Sequence, residues 1–310
     1  VADIFAGPLE RLPEPGESVV TEQIAVFPGG NALNTAVALC RMGDQAAVSG
    51  SIGDDALGTL LLDKLQSLGL DVRGVRREPG GITASTFIVR AEGEDRRFIS
   101  ALGVGADFTG KHASPDLIPE SGIVVVGGYL KLSAWDDDVL IALLRQAQRK
   151  TCRVVLNVCV VRNSGVDPRR CLRLLEHVDV FLLNEDEARV ITGQSALAQQ
   201  ARVLREAGAK LVVITRGHEG LYAEDSEQAI TMGVFDVPVV DPSGCGDCFA
   251  AGLVAALRRG WDTVSALKLG SAVGALGVTA LGCTNGVPTF ADVQRFLYGN
   301  DVEISVRPVD

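Results

Sequence analysis

The sequence has no surplus of positive charge. Across 310 residues, 29 Lys and Arg stand against 39 Asp and Glu, a formal net charge of −10. A phosphate backbone demands clustered cations, so nucleic acid is disfavoured as a partner. A nucleotide is not, because backbone amides and Mg²⁺ can hold its phosphates. There is no run of 18 apolar residues, which excludes a transmembrane helix and a membrane partner. The stretch Val1 to Glu10 shows no basic segment followed by an apolar core, so no secretory signal is visible. The three histidines, His112, His177 and His218, form no evident cluster from which to build a metal site. Internal repeats and low-complexity linkers are also missing.

What is present is ordinary for a globular protein: 47% hydrophobic and 22% charged residues. The length suits one large α/β domain, or one domain with a small appendage. Seven cysteines are odd in number and scattered, several of them in apolar runs (Cys40, Cys152, Cys159, Cys171). Reduced thiols in a cytoplasmic protein are the expectation.

Short apolar runs alternate with helix-length segments. Residues 123–126, 153–156, 178–183 and 211–214 read as strands buried on both faces, as in a parallel sheet covered by helices. Helices are predicted near 136–150, 168–176, 185–192 and 196–207, and the alternation argues for βαβ units in an α/β sandwich. Segments 247–259 and 262–280 are apolar almost all round, as helices inside a large layer should be. Thr289 with Asp292 marks a further helix start, and the tail from Val302 shows no clear pattern. Two stretches break the rhythm. Glu17 to Phe27 and Thr83 to Ser100 alternate apolar and polar residues, the second around a turn-like Ala91 to Asp95. They read as antiparallel strands of a small accessory sheet, either an idle edge hairpin or a lid.

The most informative segment runs from Asp241 through Pro242, Ser243, Gly244, Cys245, Gly246, Asp247 and Cys248 to Gly252. Glycines at 244 and 246 allow a tight bend that brings successive N–H groups to an anion. A helix follows at once, so its unpaired amides and positive dipole end point to the same place. That is a phosphate site. A carboxylate beside it, Asp247, either accepts a hydroxyl proton as general base or merely caps the helix dipole. The segment alone leaves both readings open. It also spells C-x-x-C through Cys245 and Cys248, which admits a redox reading that leaves Asp247 and the glycines unexplained.

With its flanks, the segment resembles the C-terminal signature of the ribokinase-like (PfkB) carbohydrate kinases, D-T-x-G-A-G-D-x-F-x-x-G. Asp241, Gly244, Gly246, Asp247, Phe249 and Gly252 match; Pro242, Ser243 and Cys245 depart from it. Gly29 to Ala36 resembles the N-terminal signature G-G-x-x-x-N-x-A. Ser51 to Gly58 is similar to the G-x-D-x-x-G turn, Asn184 to Glu187 to N-x-x-E, and Thr215 to Gly220 to the nucleotide-side T-x-G-x-x-G. Gly282 to Pro288 resembles the loop that follows near the nucleotide.

The resemblance implies a ribokinase-like three-layer α/β sandwich with a mainly parallel central sheet. Residues 1–310 would form one kinase domain, with a β lid drawn from approximately 10–27 and 83–102. It implies ATP-dependent phosphorylation of a sugar hydroxyl, with Asp247 as base and Gly244, Cys245 and Gly246 as anion hole. Asn184, Thr215, Gly217 and Gly220 would bind nucleotide, and Glu187 would hold Mg²⁺ through water. Asp3, Gly30, Asn31 and Asn34 would read the sugar, while Asp241 and Ser243 match one side of a K⁺ site. Sugar and ATP are the implied partners, and lids of the family sometimes pair into homodimers. A nucleoside kinase and a relative that has lost catalysis are the alternatives, with Phe27, Phe87 and Phe98 available to wall a base.

Three departures matter. The family has a strand ahead of the residue matched by Asp3, whereas here two residues precede it. Either that strand belongs to a longer chain or the sugar site is built unusually. Asn31 replaces the Lys of ribokinase, and Tyr129 falls near the place of an acidic sugar ligand, so ribose is not assured. Cys245, at a helix N-terminus, is expected to have a lowered pKa and to be shielded by ATP.

Overall fold

The computed structural model describes every residue except Glu92, Gly93, Asp95, Arg162, Asn163 and Asp310, so part of the turn read at 91–95 lies outside the described residues. From the N-terminus come β1 (Ala2–Leu9), β2 (Ile24–Pro28), α1 (Asn31–Arg41), β3 (Ala47–Gly53), α2 (Ala56–Ser67) and β4 (Asp71–Glu78). Next are β5 (Ser85–Ala91), β6 (Arg97–Ala101), β7 (Gly122–Gly127), α3 (Asp137–Arg149), β8 (Cys152–Asn157) and β9 (Val180–Asn184). Then follow α4 (Glu185–Thr192), α5 (Leu197–Glu206), β10 (Leu211–Thr215), β11 (Leu221–Glu224) and β12 (Gln228–Met232). The chain closes with α6 (Cys245–Arg258), α7 (Thr263–Gly277), α8 (Phe290–Gly299) and β13 (Ile304–Pro308).

Among the described residues the strands form three sheets, ordered β13-β12-β11-β10-β9-β8-β7, β2-β1-β5-β6 and β3-β4. The large sheet is parallel across β7, β8, β9 and β10. Two hairpins extend it antiparallel from β10 through β11 to β12, and β13, returning after α6, α7 and α8, pairs antiparallel with β12 at the edge. Successive strand residues point to opposite faces, and both faces are apolar because helices cover both. Val155, Leu182 and Val213 enter the core under α6 and α7. Val154, Leu156, Phe181, Leu183, Val212 and Ile214 enter the core under α3, α4 and α5. Continuous runs without alternation were therefore the correct signal for these strands.

Other details differ from expectation. Pro168–His177 is a 3₁₀ segment, and its buried Cys171, Leu174 and His177 recur at the three-residue period that such a helix eclipses. The tail read as patternless is the edge strand β13. Of the first alternating stretch only β2 is strand; β1, which carries Asp3, runs in the same small sheet between β2 and β5.

That small sheet has two unlike faces. Paired residues share a face, so Asp3, Phe27, Thr86, Ser100, Phe5, Ile88 and Phe98 lie on one side. Ile4, Val26, Phe87 and Ile99 form a row on the other. Just ahead of β5 it is fastened by Asp55, which caps α2 at the Gly58 amide (2.8 Å) and accepts from both the amide and the hydroxyl of Thr83 (2.7 and 2.6 Å). The turn from Ser51 to Gly58 thus anchors the base of the lid.

Candidate active site

The parallel strands end on one side of the sheet, and the last residues of three of them are polar: Asn157 on β8, Asn184 on β9 and Thr215 on β10. Sites in open α/β sheets form at this carboxyl end. Two helix N-termini meet the same place. Helices α2, α3, α4, α7 and α8 are closed by a side-chain cap, whereas α1 and α6, like α5, have none, and α1 and α6 begin at glycines, Gly30 and Gly244. The backbone amides of Gly246 and Asp247 take no backbone acceptor among the described residues. They are the orphan donors of a helix start.

Gly244 makes this turn possible. It sits in the left-handed region at φ 72°, and a Cβ there would stand 2.6 Å from Cβ of Cys283. A Cβ at Gly246 would meet nothing within 4 Å, so the space in front of that amide is open.

Asp247, in the first turn of α6, is buried at 5% exposure. Asn34 Nδ2 donates to its Oδ2 at 2.8 Å, Asn31 Nδ2 to its Oδ1 at 3.0 Å and Asn157 Nδ2 to the same Oδ1 at 3.4 Å. Burial is the larger influence and pushes its carboxyl up to about 6, against the pull of the Asn34 and Asn31 amides. Asp3, on β1, is buried too. Its carboxylate fills the space a Cβ on Gly29 would need and accepts from Sγ of Cys283 at 3.6 Å, and burial pushes it up as well. Gly30 opens α1 at φ 103°. Asn31, Asn34 and Asp3 are therefore brought around Asp247, with Gly30 at the start of the same helix as the two asparagines.

The residues expected on the nucleotide side lie along the neighbouring strand ends. Asn184 and Glu187 form a reciprocal capping box on α4, each side chain accepting the other's amide at 2.9 Å. Glu187 Oε1 also accepts the Val160 amide at 3.0 Å, and burial raises its carboxyl. Thr215 donates its hydroxyl to the Leu183 carbonyl at 3.4 Å. Gly217 faces open space, whereas Gly220 packs against the carbonyl of Met232. No group of three or more His, Cys, Asp or Glu able to hold a metal ion occurs among the described residues.

The cysteine expectations need correction. Cys245 is exposed at the mouth of the site, yet its thiol is raised rather than lowered: desolvation by the surrounding protein comes first, then the neighbouring charge of Asp247. Cys248 is buried, donates to the Cys283 carbonyl at 3.1 Å and is also raised by burial. A sealed, protonated thiol is a poor partner for exchange, so the C-x-x-C spacing carries no redox pair here. Among the described residues all seven cysteines are free.

Sequence reasoning missed three residues. Asn157 closes a core strand, and an amide at that position was the available signal. Lys131, in the 3₁₀ turn after β7, lies within electrostatic reach of Asp3, Cys159 and Asp247. Arg96 reaches from the lid to Ser243 Oγ at 2.6 Å, and nothing in its spacing announces this. Tyr129 is buried with its hydroxyl on Asp137, so it offers no sugar contact. Phe87 stands on the outer lid face and cannot wall a base, while Phe27 and Phe98 share the face of Asp3.

A family model described as pfkB family carbohydrate kinase matches residues 4–290. The chain belongs to this family. The ribokinase of Bacillus subtilis is 29% identical to this pfkB-family chain over 292 residues, covering 93% of it and 94% of the relative. The solved ribokinase of Thermotoga maritima matches with a TM-score of 0.80 at 23% identity over 96% of each chain. The solved adenosine kinase of Sinorhizobium meliloti matches equally well, TM-score 0.80 at 20% identity over 96% of each chain. At such identities these two structures establish the pfkB-family fold alone. The motif resemblance and the α/β sandwich with its separate small sheet are thus borne out. No helix among the described residues is long and apolar enough to cross a membrane.

Proposed function

We propose that this pfkB-family chain transfers the γ-phosphoryl group of ATP to a sugar hydroxyl, with Asp247 as general base. One observation carries the reading: a buried carboxylate, held by three asparagine amides, stands in the first turn of a helix whose Gly246 and Asp247 amides have no backbone acceptor among the described residues. The phosphoryl oxygens lie against the amides of Gly244, Cys245 and Gly246. The acceptor hydroxyl lies between them and Asp247, which takes its proton. A carboxyl at about 6 suits this role: mostly ionised at neutral pH, yet basic enough to hold the proton it accepts.

Gly30, Asn31 and Asn34 hold the sugar. Asn34 Oδ1 is buried with no partner among the described residues, a deficit of about 1–3 kcal/mol that a polyol hydroxyl would relieve. Asp3 shapes the pocket from behind Gly29 and meets the sugar only through its remaining lone pairs. Asn184, Thr215, Gly217 and Gly220 border the nucleotide. Both oxygens of Glu187 already accept amides, which fits a role in ordering water around Mg²⁺ rather than direct ligation. The ion would neutralise phosphate charge, with the phosphates as its main ligands.

A ³¹P NMR assay with MgATP and separate pentoses, hexoses, keto-deoxy sugar acids and nucleosides tests the proposal. A new phosphomonoester resonance matched by ADP with at least one sugar class is expected. Consumption of ATP with nucleosides alone, or with none of the panel, would contradict it.

The outer lid row of Ile4, Val26, Phe87 and Ile99, with Phe87 37% and Ile99 69% exposed, supports a homodimer formed lid to lid. Light scattering on an Ile99→Asp variant should then show a monomer where the parent shows a dimer; equal masses would exclude that arrangement.

A further inference from the structure

Arg96 stands immediately before β6, on the lid. Its Nη1 donates to Ser243 Oγ at 2.6 Å and lies 3.6 Å from Oδ1 of Asp241. The guanidinium rests on the ring of Phe98, 5.6 Å from its centroid, and lies within electrostatic reach of Cys245. A second lid arginine, Arg90, donates to the carbonyl of Val240 at 2.8 Å. Two lid side chains therefore grip the segment that leads into Gly244.

That segment is tightly determined. Asp241 is 2% exposed; its Oδ1 accepts the Ser243 amide at 3.0 Å and its Oδ2 the Gly282 amide at 2.9 Å. A buried carboxylate still needs a counter-charge, and the guanidinium is the cation beside it. The resemblance implied K⁺ at Asp241 and Ser243. These residues do not fit it, because an alkali ion on the same oxygens would stand in contact with Arg96, and like charges repel at that range.

We infer that Arg96 is a positioning residue for phosphoryl transfer. Carried by the lid, its guanidinium supplies the positive charge of the Asp241–Ser243 corner in place of an alkali cation. The anion hole therefore takes its working shape only when the lid is shut. A small misplacement of such amides costs turnover more than binding.

The inference rests on the kinase reading, and its test separates the two. Turnover is measured at saturating ATP and acceptor in choline chloride and in potassium chloride, for the parent, Arg96→Gln and Arg96→Lys. The parent should change less than about twofold between the salts, while Arg96→Gln loses about 10²-fold in kcat with a smaller change in acceptor KM. Arg96→Lys, or K⁺ added to Arg96→Gln, should restore part of the loss. A parent that needs K⁺, an Arg96→Gln variant with unchanged kcat, or a loss that neither Lys nor K⁺ relieves would overturn the inference. If the parent phosphorylates no acceptor, only the kinase reading fails, and hydrogen exchange of the β6 amides decides the rest. Exchange about tenfold faster in Arg96→Gln supports the latch, and equal rates overturn it.

Discussion

Asn34 and Asp247 are 213 positions apart in sequence, yet Asn34 Nδ2 donates to Asp247 Oδ2 at 2.8 Å. The contact joins the first turns of α1 and α6, the two helices that carry the glycine-bearing signatures at either end of the chain. It fixes the carboxylate's direction and leaves Oδ1 of Asn34 buried with no partner among the described residues. A merely dipole-capping aspartate has no need of such partners.

The pH dependence follows from the burial of this carboxyl. With Asp247 pushed up to about 6, the proposed base is ionised at pH 7 and lost as pH falls through that value. The kcat/KM for the acceptor should therefore show an acidic limb near 6, falling about tenfold per unit below it. A profile flat to about pH 4.5, as the usual aspartate value near 3.9 would give, contradicts the assignment. By linkage, the folded chain binds this proton more tightly than the unfolded chain does. The group therefore stabilises the fold least above pH 6.

Two glycines, two positions apart, should respond differently to alanine. Gly244→Ala forces a Cβ into the left-handed region and against Cys283, and should lower stability by about 1–3 kcal/mol along with activity. Gly246→Ala adds a methyl group to open space on a helix, so its melting temperature should hold or rise while its KM for ATP increases. Thermal melts beside steady-state kinetics on both variants check this. Equal losses of stability would show that Gly246 is structural.

Cys245 is an exposed thiol held protonated. Alkylation by iodoacetamide at pH 7 should be slower than that of free cysteine, whose pKa is about 8.5. MgATP should slow it further by covering the turn. Mass spectrometry of the modified peptide, with and without nucleotide, measures both effects, and equal rates would mean the phosphates bind elsewhere.

Much of this was legible in the chain because the informative residues are local. The runs 154–156 and 211–214 carry no polar residue inside the sheet because both faces are covered, and the turn at Gly244 to Asp247 needs glycine for its own geometry. The parts that stayed hidden depend on tertiary contact. Asn157 reads as the last residue of a strand until Asp247 is beside it. Arg96 reads as one of several lid arginines until Ser243 is found 2.6 Å away. The raised thiol of Cys245 ran against the helix-dipole argument because desolvation, and after it the neighbouring carboxylate of Asp247, push it the other way. Strand β13 has four exposed residues of five, so its pattern never showed a buried face.

Asp247→Asn keeps the size of the side chain and removes the proton acceptor, while one amide contact from Asn31 or Asn34 is lost with the second oxygen. Turnover of the best acceptor and nucleotide affinity by calorimetry are measured together on this variant and its parent. Nucleotide affinity should be nearly unchanged while kcat falls by roughly 10²- to 10⁴-fold. A variant that kept most of its turnover would show that another group takes the proton.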